Sequence, residues 1–213
     1  MILEDLANMR REYASTTLDE AAAATQPLDQ FRAWMNDAIR AEVVEPNAMT
    51  VATCGSDGRP SARVVLLKYY GDDGFTFFTN YTSKKARQLG ENPNAALHFF
   101  WPELHRQIII QGSVTKFDKV AGDEYFHSRP VDSQIAAWTS HQSSAVESRE
   151  ALNQRFAELK AEFCDNVPTP DFWGGFTLKP DSYEFWQGRV SRLHDRLVYT
   201  RSGDSWEITR LAP

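Results

Sequence analysis

Arg189, Arg192, His194 and Arg196 fall within eight residues of the stretch "EFWQGRVSRLHDRL", in a chain of net charge −6. If the second half of this stretch is a strand, side chains alternate between faces. Arg192, His194 and Arg196 then share one face, with Leu193, Asp195 and Leu197 on the other. Such a ladder repels itself unless an anion lies opposite. Trp186 precedes the ladder by six residues, and a large aromatic beside cations suits a flat conjugated ring that carries negative charge. A hydrogen bond to a charged group contributes roughly 1.5–3 kcal/mol, an exposed ion pair about 0–1 kcal/mol. The ladder is therefore easier to justify around a ligand than as surface decoration. Pairing to acids on a neighbouring strand is the other reading and stays open.

Three further clusters carry the same kind of chemistry. In "SARVVLLKYY", Arg63 and Lys68 flank four apolar residues. Residues five apart point to opposite faces of a straight strand, so both line one site only where the strand bends. Otherwise both snorkel from a core strand. In "YTSKKARQL", Thr82 or Ser83 is placed to cap a helix whose first turn holds Lys84 and Lys85. A helix N-terminus already has unpaired N–H groups and a positive dipole end. Two lysines there make sense with an anion on top of them, or else as a solvated pair. In "EYFHSRPVDSQ", Tyr125, Arg129 and Ser133 follow i, i+4, i+8 spacing on one helical face, and Pro130 breaks the helix at Arg129. Two hydroxyls and a guanidinium converging there suit a phosphate monoester; a plain C-cap, with Arg129 near the last carbonyls, is the alternative. Four such clusters in one acidic chain point to two anionic ligands, or one large one.

The elements that must hold these clusters read as follows. A short charged helix covers 3–13, and "STTLDEAAAATQP" is a polar connector. A second helix begins near Pro27, with Phe31, Trp34, Met35, Ala38 and Ile39 on one apolar face. "AMTVATCG", "SARVVLLKYY" and "FTFFTN", separated by "SDGRP" and "GDDG", read as a three-stranded meander. "SKKARQLGEN" is a short helix, and "NAALHFFW" and "RQIIIQGSVTKF" are two more strands. Helices follow at "KVAGDEYFHS", "DSQIAAWTS" and "VESREALNQRFAELKAEF". After the loop "VPTPDFWGG", strands at "GFTLKP", "SYEFWQG", "RLHDRLVYT" and "DSWEITRLAP" close the chain. Strands come in runs joined by tight turns, which favours an α+β, mainly antiparallel barrel or sandwich with peripheral helices over a parallel doubly wound sheet. There is no G-x-G-x-x-G or P-loop.

Composition limits the function classes. The 213 residues hold 29 acids against 23 Lys and Arg, which argues against a general nucleic-acid binder. Cys54 and Cys164 are the two cysteines, and no Cys/His cluster or H-E-x-x-H pair marks a metal site. The start "MILEDLANMRREY" lacks the apolar stretch of a signal peptide. Runs such as "VVLL" and "III" are too short to span a bilayer. A cytoplasmic protein with free thiols is the default expectation.

With these residues in hand, the chain resembles the pyridoxine/pyridoxamine 5′-phosphate oxidase family. "EFWQGRVSRLHDR" is similar to the family's C-terminal pattern of an acid, an aromatic, Trp, four variable residues and Arg-Leu-His-Asp-Arg. "RREY", "RVVLLK", "YFHSRPVDSQIAAW", "HQSS", "FWGGF" and the closing "RLAP" resemble it too, in the family's order, so the likeness covers nearly the whole chain. The resemblance implies an FMN-binding split β-barrel over residues 27–213, a mobile N-terminal segment over 1–26, and a homodimer with FMN at the interface. It implies oxidation of pyridoxamine or pyridoxine 5′-phosphate to pyridoxal 5′-phosphate with oxygen as acceptor. By matching motif, Arg63, Lys84, Lys85, Gln107, Gln142, Ser143, Trp186 and Arg196 hold FMN, with Phe78 and Thr79 lining its site. Lys68, at the edge of both ligands, joins Tyr125, Arg129 and Ser133 on the substrate phosphate. Arg192 and His194 face the substrate ring as the catalytic pair, and Arg10 and Tyr13 cover it. Lys84 stands where the family usually has Arg, which keeps the charge and loses the planar fork. Two other readings are a flavin oxidase of a non-phosphorylated, phenazine-type substrate and a non-catalytic flavin or pyridoxal-phosphate carrier.

Overall fold

The computed structural model describes residues 17–164 and 166–213; Arg10, Tyr13 and the helix expected at 3–13 lie outside them. The described chain forms two compact units. The terminal unit comprises the described residues up to Pro46 with His98–Ile110 and Asp181–Pro213; the central unit comprises Asn47–Leu97 and Gln111–Pro180. The elements in order are α1 (Pro27–Arg40), β1 (Ala48–Cys54), β2 (Pro60–Leu66), β3 (Tyr69–Gly71), β4 (Gly74–Asn80), α2 (Lys84–Glu91), β5 (Asn94–Trp101), β6 (Arg106–Lys116), α3 (Lys119–Ser128), α4 (Val131–Thr139), α5 (Arg149–Phe163), β7 (Trp173–Gln187), a 3₁₀ turn (Val190–Arg192), β8 (Asp195–Ser202) and β9 (Ser205–Arg210). Hydrogen bonding orders the sheet β2-β1-β5-β6-β7-β4-β3, with β8 between β7 and β9. The pairs β1–β2, β3–β4, β4–β7, β7–β8 and β8–β9 are all antiparallel.

In the terminal unit, α1 starts at Pro27, whose missing N–H is one that a helix start leaves unbonded anyway. Phe31, Trp34, Met35 and Ala38 are buried as their spacing predicts, while Ile39 is 56% exposed and leaves that face. Phe31 meets Phe99 edge-on at 5.3 Å and Trp34 meets Phe185 at 5.3 Å. The guanidinium of Arg106 lies 4.4 Å over Trp34 and pairs with Asp37 at 2.7 Å, so this largely hidden cation is neutralised inside its own unit.

In the central unit the expected three-stranded meander is broken. β2 and β4 are not sheet neighbours, because the run "RVVLLKYY" divides at Leu67–Lys68. The Leu67 amide donates to Asn47 O at 2.8 Å, and the next amide, of Lys68, donates to Thr76 O at 2.9 Å. Two successive residues thus bond toward opposite ends of the strand order, and buried Leu67 is the pivot. "GFTLKP" and "SYEFWQG", expected as two strands, are one strand, β7. Pro180 falls within it, beside Gly112 of β6, where the two chains run close: a Cβ on Gly112 would lie 2.0 Å from Lys179 O. A satellite core of Phe126, Ile135, Leu159 and Val167 packs α3, α4 and α5 together.

The ladder face expected for Arg192, His194 and Arg196 does not form. Ser191 (φ 56°) and Arg192 (φ 60°) are left-handed, and the strand starts only at Asp195. Alternation therefore does not apply across these three residues.

Candidate functional site

The central unit contains a cavity of about 750 Å³, within the roughly 300–1,000 Å³ typical of small-molecule sites. Arg63, Lys68, Lys84, Lys85 and Arg129 line it, with Phe78, Thr79, Tyr125, Gln142, Ser143 and Trp173; no carboxylate does. Arg63 and Lys68, five apart in sequence, share this cavity because β2 ends at Leu66 and Lys68 follows the break.

Arg63 is held by its own hairpin. Its Nη1 donates to Val51 O at 3.0 Å and Thr53 Oγ1 at 2.7 Å, and its Nη2 to Ser61 Oγ at 2.7 Å. Burial lowers its pKa. Ser83, rather than Thr82, caps α2 by accepting from the Ala86 amide. That places Lys84 and Lys85 in the first turn, and the Lys84 amide donates to Ser143 Oγ at 3.2 Å. Lys85 is 6% exposed. Its Nζ donates to Thr79 Oγ1 at 2.8 Å and Gln142 Oε1 at 2.7 Å. Burial, and then the charge of Arg63, push it from 10.5 down to about 8. A buried ammonium with neutral partners and a cationic neighbour is a group short of an anion.

The second end of the cavity is built at the α3–α4 break. Pro130 stops α3, leaving Arg129 extended at φ −78°, ψ 153°. Its Nη2 donates to Ser133 O at 2.8 Å, and its guanidinium lies 4.9 Å over Trp173 and 5.5 Å over Phe126. Nη1 is buried without a hydrogen-bond partner, the one such side-chain atom among the described residues. An unpartnered charged donor is expensive inside a protein, and burial lowers this arginine's pKa. Phe78 stacks on Tyr125 at 4.2 Å and on Trp173 at 5.1 Å, giving the cavity an aromatic wall. Ser133 is not among the lining residues; its carbonyl, not its hydroxyl, meets Arg129.

The remaining expected residues among those described belong to the terminal unit, and none of them lines this cavity. Gln107 Oε1 lies 2.9 Å from His98 Nε2. Trp186 and His194 have ring centroids 4.6 Å apart. His194 accepts the Arg189 amide at Nδ1, 3.1 Å away. Burial, then Arg192, lower the His194 pKa against the opposing pull of Asp195. Arg192 is exposed. Arg196 pairs with Glu184 at 2.8 Å and donates to Ala212 O at 2.9 Å. For Arg196, then, the alternative of an acid on a neighbouring strand is realised.

Sequence reading missed Trp173, which it left in a loop, and Ser61. The signal for Trp173 was available: a tryptophan directly before two glycines, at the start of an aromatic strand.

Residues 35–162 match the family described as pyridoxamine 5′-phosphate oxidase, and residues 173–213 match the pyridoxine 5′-phosphate oxidase C-terminal dimerisation region. The chain belongs to the pyridoxamine 5′-phosphate oxidase family. A pyridoxine/pyridoxamine 5′-phosphate oxidase from Burkholderia vietnamiensis is 51% identical over 211 residues, covering 98% of this chain and 99% of the relative. The crystal structure of PhzG from Burkholderia lata, in complex with tetrahydrophenazine-1-carboxylic acid, superposes with a TM-score of 0.88 at 35% identity, over 93% of this chain and 99% of that one. A pyridoxamine 5′-phosphate oxidase-related, FMN-binding protein from Nostoc punctiforme gives a TM-score of 0.70 at 18% identity, over 88% and 98%. This last likeness shows the fold: the oxidase family's α+β split barrel.

Proposed function

We propose that this member of the pyridoxamine 5′-phosphate oxidase family is an FMN-dependent oxidase. In this reading it converts pyridoxamine or pyridoxine 5′-phosphate to pyridoxal 5′-phosphate, with oxygen as acceptor and hydrogen peroxide as product, and with water releasing ammonia from the imine formed from the amine. The observation that carries this reading is the carboxylate-free cavity with five cationic side chains and a buried, unpartnered Arg129 Nη1. Those charges form two sets. Arg63, Lys84 and Lys85, with Gln142 and Ser143, would hold the FMN phosphate at the start of α2. Lys68, Tyr125 and Arg129 would hold the substrate phosphate, a remote anchor that fixes the ring for reaction.

The chemistry that FMN would supply, held there by Arg63, Lys84 and Lys85, is acceptance of a hydride from the substrate's C4′ carbon with oxygen as the final electron acceptor. Arg129 would direct its unpartnered Nη1 to a phosphate oxygen, and Lys85 would regain the anion that its burial lacks. Phe78, Tyr125 and Trp173 give the rings an apolar wall. Arg192 and His194 would orient the reacting end, with Gln107, Trp186 and Arg196 completing the flavin site in a homodimer. The match of 173–213 to a dimerisation region supports that assembly. Arg10 and Tyr13 would cover the bound substrate.

The 35% identity to PhzG favours a second reading, oxidation of a phenazine-type acid. Two cations at the Arg129 end suit a phosphate dianion better than a carboxylate of single charge. A peroxide assay on the FMN-loaded protein separates the two. Turnover of both phosphorylated vitamers, with little from pyridoxine or pyridoxamine, supports the first reading. Equal turnover with and without the phosphate overturns it.

A further inference from the structure

Arg63 carries five N–H donors and no acceptor, and it stays protonated. Any hydroxyl that accepts from it must direct its own proton elsewhere. Thr53 and Ser61 face each other across the β1–β2 pair, and both accept from Arg63. Both then donate to one atom, Gln88 Oε1, at 2.7 and 2.6 Å. Gln88 sits on α2, four residues after Lys84, and is 7% exposed. Its Nε2 donates to Arg59 O at 3.4 Å, which fixes which end of the amide faces the hydroxyls.

The polarity of this fork is forced. Donors on Arg63 require acceptors at both hydroxyl oxygens, and only an oxygen can take both hydroxyl protons. Three of the guanidinium's five N–H groups are engaged by Val51 O, Thr53 and Ser61, and Arg63 lines the cavity.

We propose that Gln88 is a positioning residue for anion binding: by accepting both hydroxyl protons it aims the lone pairs of Thr53 and Ser61 at Arg63 and locks the guanidinium toward the phosphate of the flavin. Gln88 touches no ligand itself. It acts through two hydroxyls on the same face of the hairpin as Arg63, and its neutral amide adds no charge that would compete with a phosphate. The inference rests on the FMN reading above and goes beyond it in assigning this role.

The test compares binding of FMN and of riboflavin, which lacks the phosphate, by quenching of flavin fluorescence. Gln88→Leu should weaken FMN by about tenfold and shift riboflavin by less than about twofold. In an Arg63→Ala background the same substitution should change FMN affinity by less than about twofold, since the guanidinium it aims is gone. Equal weakening of both flavins marks a merely structural residue and overturns the proposal, as does an unchanged FMN affinity or full additivity with Arg63→Ala. If Gln88→Leu does not fold, Ser61→Ala decides by the same comparison, with a smaller but still phosphate-selective loss expected. Wild-type protein that binds neither flavin would instead sink the FMN reading itself.

Discussion

Arg129 of the central unit reaches one backbone carbonyl and two aromatic faces and keeps a buried Nη1 without a hydrogen-bond partner. Arg196 of the terminal unit meets the carboxylate of Glu184 at 2.8 Å, which raises its pKa. The contrast extends to their neighbours. Arg63 and Lys85 lean on neutral oxygens and have lowered pKa values. Asp195 in the terminal unit takes Arg210 at 2.8 Å, Arg189 at 3.7 Å and the Leu18 amide at 3.1 Å. The lesson is that a cluster of cations signals a ligand by its lack of acids rather than by its density. In the densest run of the sequence, at 189–196, Arg189 and Arg196 meet carboxylates, while the scattered cations that line the cavity of the central unit share it with none.

Removing the least satisfied cation should do the most. Arg129→Leu should lower kcat/KM for pyridoxamine 5′-phosphate about a hundredfold, through KM. The fold should suffer little, because the charge it removes is poorly matched where it lies; steady-state kinetics and a thermal melt check both halves. Lys85→Met comes next. In the ligand-free protein the folded Lys85 pKa of about 8 lies below its ordinary 10.5, so the unfolded chain binds the extra proton between these values. Ligand-free stability should therefore rise from pH 8 toward 10.5, and Lys85→Met should abolish that rise. At pH 7 the variant should gain on the order of 1 kcal/mol, a few degrees in Tm, while losing FMN affinity. By the same sign, wild-type FMN affinity should fall as pH climbs through about 8, because Lys85 then loses the charge that meets the phosphate.

Glu184→Gln should have a smaller effect, about 0.5–1 kcal/mol by denaturant melt, since the Arg196 pair is partly solvated. The smallest effect is expected at Glu20, whose carboxyl Arg210 holds at about 2. Its contribution is present above the ordinary carboxylate value and is lost as pH falls toward 2. Arg210→Gln should flatten that acid limb by lowering stability slightly at neutral pH, where the contribution is present, and leave stability near pH 2 unchanged.

Much of this arrangement was legible in the residues. Pro27 set the start of α1 and Pro130 set the break that frees Arg129 from α3. The choice of cap between Thr82 and Ser83 still left both lysines in the first turn of α2. Local chemistry decided each of these. Long-range geometry decided what was not legible. The Leu67–Lys68 break depends on amides finding partners at Asn47 and Thr76. The close approach of β7 to β6 at Lys179 and Pro180 depends on Gly112 of another strand. The left-handed Ser191 and Arg192 overrode the alternation that the sequence pattern called for. Trp173 carried a local signal, a tryptophan directly before two glycines, but its place beneath Arg129 is set by the fold.

The most direct test is the anaerobic absorbance of the FMN-loaded protein when pyridoxamine 5′-phosphate is added. The flavin band should bleach with the phosphorylated substrate, recover on admitting air, and bleach far less in Arg129→Leu at the same substrate concentration. A band that stays unchanged while the ligand demonstrably binds would contradict catalysis at this cavity and leave the protein a carrier.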